Sequence, residues 1–271
     1  MRPGRVRRRA LVRAADSDRS PERAEASMTT CGNPWLAPLV LCALLGGATP
    51  GPASAQVPAE IHWTRDSAEH DAIFLQVYRA ATAQLERAAA GQTSGSWAVI
   101  LDADETVLDN SEHFRVMAAH DNVAPAFDAE AWGGWVREAR APALPGSAAF
   151  IARVHSLGGR VVIVTNRIDE LCEPTRQNFR NLAIEMDAVL CHTSSSNKNP
   201  RYESVQAGTA AIGLPALTVL MWIGDNIQDF PGLMQPEARA RGQAALTEFG
   251  VRFFVLPNPM YGSWEGNPIR N

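Results

Sequence analysis

The sequence predicts one α/β domain with a parallel sheet covered by helices on both faces. Short apolar runs alternate with helical segments, and three of these runs end in polar residues. The runs are residues 97–101, 161–164, 189–190, 219–223 and 253–256. Unbroken apolar runs are typical of strands buried on both faces. Their alternation with helices favours a parallel sheet, and 271 residues suffice for one such domain.

Helical segments are predicted between or before these runs. In residues 67–90, apolar side chains recur every three or four positions, as Ile73, Val77, Tyr78 and Ala81 illustrate, and Gly91 is a suitable stop. The intervals 148–157 and 173–182 are also predicted to be helical. The last two segments lie between successive apolar runs, where connections over a face of the sheet are needed.

The first 55 residues are predicted to be a leader outside the fold. An apolar run over residues 35–48 is followed by Ala53-Ser54-Ala55, a small-residue cleavage pattern. We expect an Arg-rich leader at 1–27, a signal peptide at 28–55 cleaved after Ala55, and the domain at 56–271. Whether translation starts at Met1 or Met28 stays open.

Export without an anchor is the expected fate of the chain. The apolar run is shorter than the roughly 20 residues of a membrane span, which disfavours the alternative of a transmembrane anchor. Thr30 before Cys31 and Leu41 before Cys42 fit poorly with lipid attachment. We therefore predict a periplasmic or secreted protein, with an outer-membrane lipid anchor disfavoured.

Composition excludes several classes of protein. A hydrophobic content of 46% and a charged content of 20% exclude a disordered chain. Beyond residue 55, 17 basic and 25 acidic residues remain, a net charge of −8. Such an acidic body is unsuited to holding a nucleic-acid backbone. Only Cys172 and Cys191 remain after the leader, and the sequence leaves open whether they pair or stay free thiols.

Polar residues at the strand ends indicate the chemistry. The first run is followed by Asp102 and Asp104, and the fourth run is followed by Asp225 and Asp229. Ligands of open α/β sheets bind outside the carboxyl ends of the strands, so these carboxylates should converge. Clustered carboxylates repel one another and need a cation, and hard oxygen ligands suit Mg²⁺. A structural calcium site is the alternative, but it gives no role to Thr165 or Lys198.

These segments resemble the haloacid dehalogenase superfamily and, within it, the class C bacterial acid phosphatases, a group similar to 5′-nucleotidases. The matching stretches, in order, are residues 102–111, 164–167, 224–230 and 256–265. Residues 62–78 resemble the family's N-terminal helix, and residues 132–146 resemble the approach to its second strand. Together the resemblance covers residues 60–266. It implies a Rossmann-like, haloacid dehalogenase-like fold with a small cap after the first strand, at residues 110–145.

The resemblance also implies a role for each site residue. Asp102 would be the nucleophile that forms an aspartyl-phosphate, and Asp104 the general acid and base. Thr165 and Lys198 would hold the phosphoryl oxygens. The implied magnesium ligands are Asp102, Asp104 through its backbone carbonyl, Asp225 and Asp229.

Substrate contacts are predicted from the same likeness. Asn166, Phe114 and Tyr261 are expected to bind the substrate, the two rings by stacking. Trp132 and Trp135, three apart on a predicted helix, are expected to pack in the core. None of the six histidines has the spacing of a ligand pair, so ordinary surface or core roles are expected for them.

The function expected from the sequence is Mg²⁺-dependent hydrolysis of nucleoside monophosphates and other small phosphomonoesters. No nucleic-acid polymer and no stable membrane span are expected, and a homodimer stays open. One alternative is a periplasmic protein that acquires nucleotides or haem with little catalysis. A second is a phosphotransferase that passes the phosphoryl group to an alcohol.

Overall fold

The computed structural model describes residues 57–121, 127–211 and 213–269. The predicted Arg-rich leader and signal peptide lie outside these residues. Among the residues that are described, no helix has the length and apolar character that a bilayer span requires.

The centre of the fold is a five-stranded sheet in the order β3-β2-β1-β4-β5. Every neighbouring pair in this sheet is parallel. Its strands are β1 (Trp97–Leu101), β2 (Arg160–Ile168), β3 (Ala188–His192), β4 (Thr218–Gly224) and β5 (Phe253–Val255). The predicted α/β class is confirmed. Strand β2 is longer than its apolar run, because it begins at Arg160 and continues through the polar residues 165–167 to Ile168.

Helices connect and cover the strands. The α-helices are α1 (Ala59–Asp66), α2 (Ala68–Ala89), α3 (Ser111–Asp121), α4 (Ala129–Glu138), α5 (Ser147–Ser156), α6 (Cys172–Asn181), α7 (Asn199–Ala207) and α8 (Gln235–Arg241). Short 3₁₀ turns span Asp169–Leu171, Ile227–Asp229, Gly242–Ala245 and Ser263–Gly266. The helices α3 and α4 fall within residues 110–145, the segment predicted as a cap.

Strand β1 divides the core into two layers. Val99 and Leu101 belong to one apolar cluster, which contains Phe74 of α2 and Phe150 of α5. Ile100, on the other face, belongs to a second cluster, with residues of α7 and α8. Alternate residues of a strand point to opposite faces, so an unbroken apolar run supplies both layers. The sheet is therefore buried on both sides, and its carboxyl edge is where polar groups gather.

A disulfide joins Cys172 to Cys191. Cys172 is the first residue of α6, and Cys191 lies near the end of β3. The structure thereby answers the question that the sequence left open. The bond attaches the start of α6 to the edge strand beside β2.

Asp187, just before β3, makes hydrogen bonds to the start of β2 and to α5. Its carboxylate accepts hydrogen bonds of 2.7 Å from Val161 N and from Arg160 Nη1, and lies 3.0 Å from Nε2 of His155. Burial alone would raise its pKa, but these bonds together hold the pKa of Asp187 below its usual value. The ionised carboxylate is therefore the form that stabilises the fold.

We expect Asp187→Asn to lower the free energy of unfolding at neutral pH by about 1–3 kcal/mol, because it removes charged hydrogen bonds. A lowered pKa gives stability that is present above the unfolded-state pKa and lost as the pH falls through the folded-state value. The difference from wild type should therefore shrink in acid. Urea unfolding at neutral and acidic pH measures both effects, with the exposed Asp66→Asn as control. A difference that is independent of pH would contradict the assignment.

Candidate active site

Three carboxylates meet at the carboxyl edge of the sheet. Asp102 directly follows β1, Asp225 directly follows β4, and Asp229 ends the 3₁₀ turn after it. One carboxylate oxygen from each lies within 4.8 Å of the others. Because β1 and β4 are adjacent and parallel, their ends bring residues over 120 positions apart into one group. The predicted convergence of these three residues is present.

Lys198 supplies a cation to this group. It directly precedes α7 and is only 3% exposed. Its Nζ donates to Oδ1 of Asp102 and, at 2.6 Å, to Oδ1 of Asp229. The lysine was predicted to lie in the site, and the structure places it between two of the carboxylates.

The charges in this group are unbalanced. Burial raises the pKa of Asp102 to about 7; Lys198 opposes the rise, while Asp229 and Asp104 add to it. Burial, with Asp229 and Asp102, also raises the pKa of Asp225 well above its usual value. Burial would lower the pKa of Lys198, but the attraction of Asp102 and Asp229 raises it. Three carboxylates and one ammonium leave a net charge of −2 when all are ionised.

This donor set fits a divalent cation. Its ligand atoms are carboxylate oxygens, which hard cations such as Mg²⁺ prefer. A cation of charge +2 would offset the net charge of the group and lower the pKa values that burial raises. The carboxylate of Asp104 is not part of this cluster, so the predicted convergence of four carboxylates is present for three of them. The expected contribution of Asp104 through its backbone carbonyl stays a prediction.

The backbone after β4 fixes Asp229. Its Oδ2 accepts a 2.8 Å hydrogen bond from Asn226 N, and its carbonyl accepts one of 2.8 Å from the hydroxyl of Tyr202. A Cβ at Gly224 would lie 2.4 Å from Cβ of Asp229. Only glycine therefore lets Asp229 fold back over the end of β4.

Asp104 is held on the other side of the site by an arginine. Arg167 Nη2 donates to its Oδ1 at 2.7 Å, and Asn110 Nδ2 donates to the same oxygen at 2.9 Å. Arg167 is 3% exposed and lies in the polar extension of β2. Asp104 and Arg167 both line a cavity of about 900 Å³.

The turn after Asp104 is conformationally demanding. Glu105 has a φ of 49°, in the left-handed region that non-glycine residues rarely adopt. Its buried carboxylate accepts hydrogen bonds from Asn110 N at 2.9 Å and from the hydroxyl of Tyr261. Burial, together with the charge of Asp104, raises the pKa of Glu105 well above its usual value. Glu105 thus links the turn that follows β1 to the C-terminal loop that contains Tyr261.

Aromatic side chains line the cavity. Phe114 and Tyr261 stack with ring centroids 5.0 Å apart and an interplanar angle of 28°. Trp132 and Asn166 also line it. Trp135 is buried, as predicted, and its Nε1 donates to Oδ1 of Asn110 at 2.8 Å. Trp132 is only half-buried: it packs against the core, as expected, but it also lines the cavity.

The end of β2 presents Thr165 and Asn166. Thr165 is fully buried, and its Oγ1 accepts a 3.1 Å hydrogen bond from Arg167 N. Arg201 donates to the carbonyl of Thr165 and, at 2.7 Å, to Oδ1 of Asn166. Thr165 is thus fixed beside the strand that carries Asp102, and Asn166 at the cavity.

Several residues of the site carry no role in the sequence prediction. They are Arg167, Asn110, Glu105, Arg201, Tyr202, Asn258 and His113. Asn258 donates to Oδ2 of Asp225 at 2.9 Å, and His113 lines the cavity, where burial lowers its pKa. Arg167 and Asn110 lie inside motifs that the sequence already singled out. Their place in these motifs is the only feature of the sequence that could have indicated a role for them, because their burial is known only from the structure.

Two comparisons relate this chain to known proteins. Residues 46–264 match the model of a family described as HAD superfamily, subfamily IIIB (acid phosphatase). The structure is similar to that of the class C acid phosphatase from Bacillus anthracis, with and without bound tungstate. Both matches have a TM-score of 0.68 and 28% identity, and cover 79% of this chain and 88% of the other.

The family match spans most of the chain, and the structural match covers 79% of it. The family's members are phosphomonoester hydrolases, which favours an enzyme over a protein that only binds nucleotides or haem. This chain belongs to the acid phosphatases of HAD superfamily subfamily IIIB.

Proposed function

We propose that the protein is a Mg²⁺-dependent phosphomonoesterase that works through an aspartyl-phosphate on Asp102. The observation that carries the proposal is the placement of Asp102 in contact with the Lys198 ammonium, among Asp225 and Asp229. A buried carboxylate beside a fixed cation can approach a negatively charged phosphoryl group, which would otherwise repel it.

The reaction has two halves. A carboxylate oxygen of Asp102 attacks phosphorus while the bond from phosphorus to the leaving oxygen breaks, and Asp104 gives that oxygen a proton. Water then attacks phosphorus while the bond from phosphorus to the Asp102 oxygen breaks, and Asp104 takes a proton from the water. Inorganic phosphate leaves, and the Asp102 carboxylate is restored. Lys198 and Thr165 hold the phosphoryl oxygens in both halves.

Mg²⁺ is the proposed cofactor. Asp102, Asp225, Asp229 and the backbone carbonyl of Asp104 would hold it. When bound, the ion neutralises charge on the phosphoryl group and on the surrounding carboxylates. The protein residues still perform the covalent step and the proton transfers.

Nucleoside monophosphates and aryl phosphates are the proposed substrates. The cavity beside Asp104 is about 900 Å³, large enough for a nucleoside. Phe114 of α3, stacked with Tyr261, offers an aromatic surface for a base or an aryl group. We propose that residues 110–145 act as the cap, since Phe114 and Trp132 from this segment line the cavity.

The direct test is hydrolysis of p-nitrophenyl phosphate and adenosine monophosphate by residues 56–271. We expect turnover with Mg²⁺ and loss of turnover in excess EDTA, with recovery when Mg²⁺ is restored. Tungstate, which is bound to the Bacillus anthracis protein, is an oxyanion like phosphate and should inhibit competitively. A folded protein with no turnover of either substrate would refute the proposed activity. Turnover unaffected by EDTA would refute the cofactor.

We expect Phe114→Ala to raise the KM for adenosine monophosphate about tenfold, because one stacking contact is worth about 1–3 kcal/mol. Glycerol phosphate has no ring, so its KM should change less than twofold. Steady-state kinetics on both substrates provide the measurement. Val116→Ala, an exposed position on the same helix, is the matched control. Equal losses for both substrates would show that Phe114 has only a packing role.

We also propose a periplasmic or secreted location. The cleavage pattern at Ala53-Ser54-Ala55 supports it, as does the disulfide, because such bonds persist in oxidising compartments. Cell fractionation followed by N-terminal sequencing tests the location. Full-length protein in the cytoplasm would contradict it, while a mature chain starting at Gln56 is expected.

A further inference from the structure

We propose that Arg167 is a positioning residue, which fixes Asp104 so that Oδ2 is the oxygen that exchanges the proton with the substrate. The inference rests on the proposed role of Asp104 as general acid and base. Arg167 is buried, yet it has no part in the nucleophilic attack, in the cation cluster or in the stacking of Phe114 on Tyr261. The inference gives it a role.

The two carboxylate oxygens of Asp104 have different surroundings. Oδ1 accepts three hydrogen bonds, from Arg167 Nη2 at 2.7 Å, Arg167 Nε at 3.0 Å and Asn110 Nδ2 at 2.9 Å. Oδ2 has one longer contact, 3.2 Å from Arg167 Nε, which Oδ1 already shares. An oxygen that accepts three hydrogen bonds has no free lone pair for a proton. Oδ2 is therefore the oxygen available for transfer.

The guanidinium of Arg167 is itself committed to the protein. Its Nη1 donates to Oγ1 of Thr175 at 3.1 Å, and its Nη2 also reaches Oδ1 of Asn110 at 3.3 Å. Together with the bonds to Asp104, these contacts use four of the five N–H donors of an arginine. Although Arg167 lines the cavity, it has little left with which to hold a phosphoryl group.

The partners of Arg167 are themselves held by other elements of the fold. Thr175 lies one turn into α6, whose first residue forms the disulfide, and its hydroxyl donates to Leu171 O at 2.7 Å. Asn110 is oriented by Trp135, whose Nε1 donates to its Oδ1 at 2.8 Å. The position of Asp104 is therefore set by two elements beyond its own loop. Such support is required where a displacement of about 1 Å costs about 100-fold in rate.

Dependence on the leaving group distinguishes this role from a purely structural one. An alkoxide leaving oxygen, as in adenosine monophosphate, needs a proton when the bond to phosphorus breaks. A p-nitrophenolate is stable without one. Because kcat/KM reports the steps up to that cleavage, a misplaced Asp104 should reduce it far more for the alkyl ester.

We expect Arg167→Met to reduce kcat/KM about 100-fold for adenosine monophosphate and less than tenfold for p-nitrophenyl phosphate. Asp104→Asn should show the same selectivity, with an alkyl-ester loss of at least 100-fold. Adding Arg167→Met to Asp104→Asn should then cost less than a further threefold, since both changes act on one proton transfer. Arg153→Met, which breaks a surface ion pair with Glu86, is the control.

The outcomes are separable. Equal losses on both substrates, or a full additional loss in the double variant, would overturn the positioning role while leaving the phosphatase activity intact. A wild-type protein with no turnover would instead refute the proposed function itself. If Arg167→Met does not fold, Arg167→Lys keeps a buried cation but lacks the planar fork, and the same selectivity is expected from it.

Discussion

Asp102→Asn is expected to reduce phosphomonoester hydrolysis by roughly 10⁴-fold or more, the order expected when a covalent nucleophile is lost. An amide nitrogen and oxygen replace two carboxylate oxygens of nearly the same shape, so the packing around the side chain is preserved. The free energy of unfolding should not fall, because the burial that raises the pKa of Asp102 also penalises its charge. Activity and stability should therefore separate in this variant.

The covalent intermediate gives a second readout of the same variant. Brief incubation with phosphate-labelled p-nitrophenyl phosphate and acid quenching should trap label on wild-type protein and none on Asp102→Asn. Asp109→Asn is the matched control, since Asp109 lies in the same segment but caps Ser111 N at 2.8 Å. Its activity should stay within about threefold of wild type. Full labelling of Asp102→Asn would place the nucleophile elsewhere.

The sequence predicts this fold well because its strands are unbroken apolar runs. Residues 97–101 and 219–223 can only be buried on both faces, and the structure places them side by side in the sheet. The strand order was not predictable, since it depends on which face each connecting helix covers. The extension of β2 from Thr165 to Ile168 was not predicted either, because its first three residues are polar and interrupt the apolar run.

The candidate site was predictable where it follows strand ends. Asp102 and Asp225 each stand one residue beyond a strand, so topology alone brings them together. Arg167 could not be assigned, since its partner Asp104 lies 63 positions away and its burial depends on α6 and Trp135. The Cys172–Cys191 pairing had the same limitation, because sequence gives no distance between α6 and β3.

Lys198→Met is the second change with a large expected effect. The methionine keeps most of the aliphatic stem but removes the ammonium that contacts Asp102 and Asp229. We expect kcat/KM to fall about 10³-fold or more, the order attributed to a cation that stabilises a transferring phosphoryl group. Without metal, the unfolding free energy should also fall by about 3–5 kcal/mol, because breaking a buried ion pair leaves uncompensated charge.

Mg²⁺ should reverse much of that destabilisation, and the size of the reversal tests the cation site independently of activity. In Lys198→Met, the three clustered carboxylates have no ammonium beside them. The oxygens of Asp102 and Asp229 that accept hydrogen bonds from Lys198 in the wild type are then free to bind a cation. A divalent cation should therefore bind more tightly, and ligand that binds only the folded state raises its stability by mass action. Thermal unfolding with Mg²⁺ and with EDTA should show a larger shift in Tm for Lys198→Met than for wild type. Adding Asp225→Asn to Lys198→Met should reduce the Mg²⁺-induced shift in Tm to that of the wild type or below. Equal shifts in all three proteins would mean that this cluster does not hold the cation.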